Sequence, residues 1–250
     1  NRVVPVVHGR PESNLWRALV RRQVAAEAQR AMLSRYFSPN IVREFYEGRW
    51  EPDEPGNRPV AVLFADMVDF TSISEKLPPH ELIALLRAFH GRLAKVAFEQ
   101  DGTIDKFIGD AVMVHFGTPR TRPNDAERAL RCAARMAEVI GEWNAERERE
   151  GAPPIGVGIG VHYGTAVVGN IGDEHKLEYT VLGDTVNVAS RLEKLTREIG
   201  AQVAVSNELI EAVKRGGADP SVVAPGLLEA GVHDVRGRQE PIEIWSLSRV

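Results

Sequence analysis

The sequence predicts an α+β domain, and three observations predict it. Short apolar runs alternate with long stretches of helical period in the order β-α-β-β-α-β. The segment TIDKFIGDAVMVHF (103–116) reads as two short strands about a tight Gly109-Asp110 turn. A further αβ pair and a last hairpin follow this core. At 250 residues, 43% of them hydrophobic, the chain can bury one sizeable core with a small appendage.

Taken in order, residues 1–11 (NRVVPVVHGRP) read as extended or disordered chain. Ser13 caps a helix that runs to about Phe37, with Leu15, Trp16, Leu19, Val20, Val24, Ala28, Ala31 and Met32 at helical spacing. That face suits pairing with a second copy as a stalk, and equally packing on its own domain. Ser38-Pro39-Asn40 breaks the pattern and 41–47 reads as a short helix. Residues 48–58 (GRWEPDEPGNR) hold two prolines and two glycines and read as a linker. Residues 1–58 are thus expected to form a helical stalk and linker, and 59–250 the main domain.

In the main domain VAVLFADMV (60–68) is a buried strand that ends in an acid. Helices are expected over 79–99 and 123–149, on either side of the 103–116 strand pair. Residues 155–164 and 165–172 read as another strand pair, and 178–183 as a strand. Residues 184–200 read as a helix ending at a C-cap glycine. QVAVS (202–206) is a strand, ELIEAVK (208–214) a short helix and 227–247 a closing hairpin. The central order is the ferredoxin-like βαββαβ core, with a C-terminal αβ/β-hairpin extension and a preceding N-terminal helix.

Composition narrows the function classes. The net charge of −4 gives no nucleic-acid footprint. The single cysteine, Cys132, excludes a disulfide within the chain, reads as a small buried apolar residue, and fits a reducing cytoplasm. No run reaches the roughly 18 apolar residues of a membrane span, and no signal-peptide pattern occurs. The chain starts at Asn1 rather than Met, and reads as a piece of a longer protein. An N-terminal sensor or membrane anchor would then precede it.

Two acids stand out. Asp66 closes an apolar strand and Asp110 sits at the turn between two others. Neighbouring strands can bring such carboxylates together, and two of them can hold a pair of divalent cations about 3.5–4 Å apart. The segment after Asp66, MVDFTSISE, starts a helix with Thr71 or Ser72 near its cap, an end suited to phosphate. Alternation turns Asp69 away from Asp66 and leaves it a local structural acid. A dinucleotide-binding reading of 156–161 (GVGIGV) fails for want of its third glycine, and no GxxxxGK occurs.

FADMVDFT (64–71), DKFIGDAVMVHFG (105–117), GIGVHYGTAVVGNIG (158–172) and YTVLGDTVNVASRLE (179–193), in this order, resemble the blocks of class III nucleotidyl cyclases. The resemblance covers roughly 34–250. It implies a homodimer with active sites at the interface, with Asp66, Met67 and Asp110 around two Mg²⁺ or Mn²⁺ ions, Ca²⁺ being an alternative in one position. It implies that Phe70 and Thr71 face the substrate, that Lys106 contacts adenine N1, and that Thr180 is the second base-reading residue. Thr at that position resembles the subgroup that includes bicarbonate-responsive cyclases. Asn187 and Arg191 match the pair that orients the ribose and stabilises the transition state. As an amide inside an apolar helix, Asn187 is expected to be buried with partners. Arg236 falls where many relatives place a phosphate-binding Lys, with Arg238 the alternative register.

The base-reading pair favours ATP. Adenine offers an N1 acceptor and an N6 amino donor, which Lys106 and the Thr180 hydroxyl oxygen match. Guanine's N1–H has no acceptor in Lys106, and relatives that make cyclic GMP usually carry Glu and Cys here. The expected reaction is ATP to cyclic AMP and pyrophosphate. The alternatives are a guanylate cyclase and a non-catalytic nucleotide-binding module, which would have lost the acids or the Asn/Arg pair that this chain retains.

Overall fold

The computed structural model describes residues 11–34, 36–49, 55–173, 175, 177–234 and 240–248. It divides into two compact units, Asn1–Phe37 and Ser38–Val250. The first holds α1 (Pro11–Leu33), in which every residue from Trp16 to Met32 is exposed.

The second unit opens with α2 (Pro39–Tyr46), started by Ser38 at the N-cap and a proline at N1. Ser38 Oγ accepts from Ile104 N (2.8 Å) and donates to Ile104 O (3.1 Å). Asn40 Nδ2 donates to Thr103 Oγ1 (2.7 Å). These bonds tie the helix to the strand that begins at Thr103. The core comprises β1 (Gly56–Met67), α3 (Phe70–Lys76), α4 (Pro79–Glu99), β2 (Thr103–Ile108), β3 (Ala111–Phe116), α5 (Asp125–Arg149) and β4 (Val157–Gly172). Then come β5 (Leu177–Leu182), α6 (Asp184–Glu198), β6 (Ala201–Ser206), α7 (Asn207–Arg215), α8 (Pro220–Val223), β7 (Leu228–His233) and β8 (Ile242–Ser248).

The strands form one sheet in the order β2-β3-β1-β4-β6-β8-β7, with β5 added along β4. β1 lies antiparallel between β3 and β4, and β2 antiparallel to β3. The β4-β1-β3-β2 order is that of the expected ferredoxin-like core. The β7–β8 hairpin and the α6–β6 pair form the expected extension.

β1 is buried on both faces, which explains its unbroken apolar run. Ala61, Leu63, Ala65 and Met67 pack beneath Phe89 and Leu93 of α4 and Leu130, Met136 and Ile140 of α5. Val60, Val62 and Phe64 face the other way, with Met113, Val168, Val181 and Ala189 of α6. Cys132 is fully buried in the first layer.

One expectation is corrected. Residues 155–172 are not two paired strands: β4 is a single strand of 16 residues. It pairs with β1 without interruption from Met67↔Val157 to Gly56↔Val168, and its second half carries β5. Its glycines suggest a turn but serve close packing. A Cβ on Gly164 would stand 2.7 Å from Thr185 Oγ1, and one on Gly160 2.1 Å from the Glu193 backbone N. α6 therefore lies directly on β4. Gly200, just past α6, has φ +67°, the left-handed stop expected there. Among the described residues no helix is long and apolar enough to cross a membrane.

Candidate active site

Asp66 and Asp110 come together as the strand pattern predicts. Ala65 pairs with Val112 across β1 and β3, which brings the next residues of β1 level with the β2–β3 turn. The Met67 N–H donates to Asp66 Oδ1 (3.1 Å) and to Asp110 Oδ2 (3.2 Å). Two carboxyls thus converge on one amide. Gly109, at φ +65°, makes the turn. His90 of α4 fixes it from below, its Nε2 lying 3.0 Å from Asp110 O. Burial, and then the adjoining Asp110 carboxyl, push Asp66 up to about 7, against the pull of Arg197 and the Met67 N–H. The pair therefore holds a proton near neutrality unless a cation replaces it. Among the described residues no group of three or more His, Cys, Asp or Glu side chains forms a metal cluster. An oxygen-only set of two carboxylates suits Mg²⁺ or Mn²⁺, which leave most of their coordination to phosphates and water.

α3 begins at Phe70, behind Asp69 in the left-handed region (φ 59°) with no side-chain cap bond. Thr71 and Ser72 lie inside its first turn rather than at the cap. Phe70 packs partly buried on the core, and Thr71 is exposed. Asp69 is beyond the end of β1, so strand alternation does not apply to it.

Asn187 and Arg191 are one helical turn apart on α6. Asn187 is exposed, contrary to the buried amide expected. The reason is that α6 buries Val188, Ala189 and Leu192 and turns the 187 position outward. Arg191 is half-buried, and its Nη1 is buried with no hydrogen-bond partner among the described residues. A buried guanidinium donor left open in this way is suited to an incoming anion.

Lys106 and Thr180 meet on one carboxylate. Thr180 Oγ1 donates to Asp105 Oδ2 (2.6 Å), and Lys106 Nζ lies 3.3 Å from Asp105 Oδ1. Lys106 also donates to Glu178 Oε2 (2.7 Å), and this bond is the main cause holding its ammonium above the usual value. Arg236 and Arg238 lie outside the described residues.

Sequence reasoning missed three side chains. Asp105 reads only as the polar neighbour of Lys106, because its partner Thr180 is far along the chain. Arg197 bonds Glu193 on its own helix and reaches Asp66 Oδ2 (3.3 Å). Burial pushes the Glu193 carboxyl up, against the pull of Arg197. The only sequence signal for the Glu193–Arg197 pair was its i,i+4 spacing.

The family described as "Adenylate and Guanylate cyclase catalytic domain" matches residues 53–247, and the chain belongs to that family. It is 36% identical over 180 residues to adenylate cyclase 1 of Rhizobium meliloti, covering 72% of this chain and 27% of that protein. The chain thus spans about a quarter of that relative's length. Among solved structures it is similar to the adenylyl cyclase CyaB from P. aeruginosa (29% identity, TM-score 0.69), covering 79% of this chain and 97% of that one. It is also similar to the guanylyl cyclase Cya2 (32% identity, TM-score 0.67), covering 79% of this chain and all of that one.

Proposed function

We propose that this domain converts ATP to 3′,5′-cyclic AMP and pyrophosphate as a homodimer with sites shared between two copies. The convergence of Asp66 and Asp110 on the Met67 N–H carries the reading, because it builds a compact anionic seat for cations on a cyclase fold. Asp66, Asp110 and the Met67 backbone would hold two Mg²⁺ or Mn²⁺ ions, which lower the pKa of the ribose hydroxyl and neutralise phosphate charge.

The chain's own residues position the reactants, which is most of what such a transfer needs. The free N–H groups at the start of α3, from Phe70 and Thr71, face phosphate oxygens. Lys106 donates to adenine N1, and Thr180 accepts from the 6-amino group. Asn187 orients the ribose. Arg191 stabilises the charge that develops as O3′ bonds to the α-phosphorus and the bond to pyrophosphate breaks. Arg236, or Arg238 in the other register, clamps the leaving phosphates.

In the homodimer, Asn187 and Arg191 of one copy meet the acids of the other. Phe107, Ile108, Leu177 and Leu182 are large apolar side chains left exposed on the strands that carry Lys106 and Thr180. Exposed apolar side chains of this kind fit contact with a second copy. The same reading includes a further N-terminal sensor or membrane module, with this domain working in the cytoplasm. Thr180 supports membership of the bicarbonate-responsive subgroup, and bicarbonate is then expected to raise turnover in the assay that follows.

Incubation of the purified protein with ATP and Mn²⁺ should yield cyclic AMP, with GTP turned over about tenfold more slowly. Asp66→Ala should lower the rate by more than about 100-fold. No cyclic AMP at protein concentrations that support dimers would overturn the reading.

A further inference from the structure

We infer that Asp105 is the positioning residue for nucleotide choice: by taking the Thr180 hydroxyl proton, it leaves Thr180 able only to accept, and so admits a 6-amino purine and rejects a 6-oxo one. The inference rests on the reading above in which Thr180 faces the base.

The local structure places Asp105 for this task. Ile104 pairs with Val114 and Lys106 with Met113, so Asp105 is the extra residue of a β-bulge in β2. A bulge re-aims its side chain out of the normal alternation. The Asp105 side chain is 1% exposed. Three polar groups lie about it. The Thr180 hydroxyl donates at 2.6 Å, Lys106 Nζ stands at 3.3 Å, and His115 Nε2, itself fully buried, at 3.5 Å. Neither of the last two is a hydrogen bond: Asp105 Oδ1 and His115 Nε2 are both buried without one among the described residues. The Thr180 bond is therefore the one short side-chain hydrogen bond to Asp105 among the described residues. His115 is backed in turn by Thr118, whose Oγ1 lies 2.6 Å from Nδ1. Burial pushes the Asp105 carboxyl up, but His115, Thr180 and Lys106 together hold it below its usual value, so it is an anion. An ionised carboxylate accepts and cannot donate.

A hydroxyl has one hydrogen. With that hydrogen held by Asp105, the Thr180 oxygen turns only lone pairs outward. An adenine amino group satisfies them. Guanine O6 would set lone pairs against lone pairs. To donate to O6, Thr180 would have to release a buried carboxylate, and a buried charge left short of donors is strongly disfavoured. Thr alone does not discriminate, since a free hydroxyl can donate or accept. The selectivity is in the pair.

The test compares kcat/KM for ATP and GTP within single preparations of wild type, Thr180→Val, Asp105→Leu, Asp105→Ala and the double variant Thr180→Val/Asp105→Leu. The ratio cancels differences in active fraction, so loss of folded protein alone leaves it unmoved, and the double variant separates an effect through Thr180 from one through Lys106. Asp105→Leu is expected to lower the ATP/GTP ratio by about tenfold or more. The double variant is expected to fall no further than Thr180→Val alone. If Thr180→Val lowers the ratio and Asp105→Leu does not, the inference is overturned while the base-reading role of Thr180 stands. If Thr180→Val leaves the ratio unchanged, that role fails and the inference falls with it. If Asp105→Leu yields no soluble protein, Asp105→Ala decides: a methyl group cannot accept the hydroxyl proton, so an unchanged ratio overturns the proposal.

Discussion

Asp66 is held in an environment that opposes its charge. Its carboxyl is raised from 3.8 to about 7 by burial and by Asp110 beside it. An acid raised on folding contributes stability that is full below its unfolded value and is lost as pH rises through the folded one. Without divalent cations, wild type should therefore lose stability relative to Asp66→Asn between about pH 4 and 7, the interval set by those two values. The variant should melt at least about 3 °C higher at pH 8, with no advantage at pH 4. Thermal melts in a chelator across that range check the sign. Equal midpoints at pH 8 would show that the carboxyls do not strain one another. The acids themselves were legible in the sequence, because an acid at the end of an apolar strand and one at a hairpin turn are conspicuous. The contact between Thr180 and Asp105 was not. It spans 75 positions and depends on a bulge, and no local pattern announces either. The burial expected of Asn187 fails for a related reason: helical period tells which faces differ, but not which one the sheet covers.

At the scale of elements, most boundaries follow from apolar period and from Gly, Pro and caps. α4 runs over Pro79–Glu99, as the pattern predicts. β4 was the exception. Its glycines are ambiguous in sequence, since Gly marks both turns and sites of close backbone approach. Only the position of α6, known from three dimensions, separates the two meanings. The same crowding gives a prediction. A methyl group on Gly160 would stand 2.1 Å from Glu193 N and 2.4 Å from Ala189 O, both backbone atoms. Gly160→Ala must push α6 off the sheet and should destabilise by about 1–3 kcal/mol. Because α6 bears Asn187 and Arg191, activity should fall as well. Gly91 of α4 is the control: it is exposed, with nothing near the place of its missing Cβ. Gly91→Ala should stabilise by roughly 0.5–1 kcal/mol, since Ala is the better helix former. Chemical unfolding of both variants tests the pair. Equal stability for Gly160→Ala and wild type would refute the close-packing account.

At the scale of the whole molecule, one chain carries both the acids and the Asn/Arg pair, and the proposed homodimer sets them across from each other. Asp66→Ala and Arg191→Ala should each be nearly inactive alone. Mixed in equal amounts, half of the dimers are heterodimers, and each of these has one intact site of two. Activity should therefore recover to about a quarter of wild type, given free subunit exchange. No recovery after verified exchange would place the sites within single chains. Sequence could suggest this arrangement only through family likeness, because periodicity within one chain says nothing about which surface meets a second copy.

β4 gives the arrangement a further consequence. One uninterrupted strand supports α6 over its first half and carries β5 over its second, while β1 is bonded along most of its length. Arg191, Thr180 and Asp66 are thus fastened to a common strut, and in the proposed dimer the looser joint would be the one between subunits. A nucleotide that bridges that joint would strengthen subunit association by the same factor by which association strengthens its own binding. Dilution of the protein would then look, in a kinetic assay, like a loss of substrate affinity.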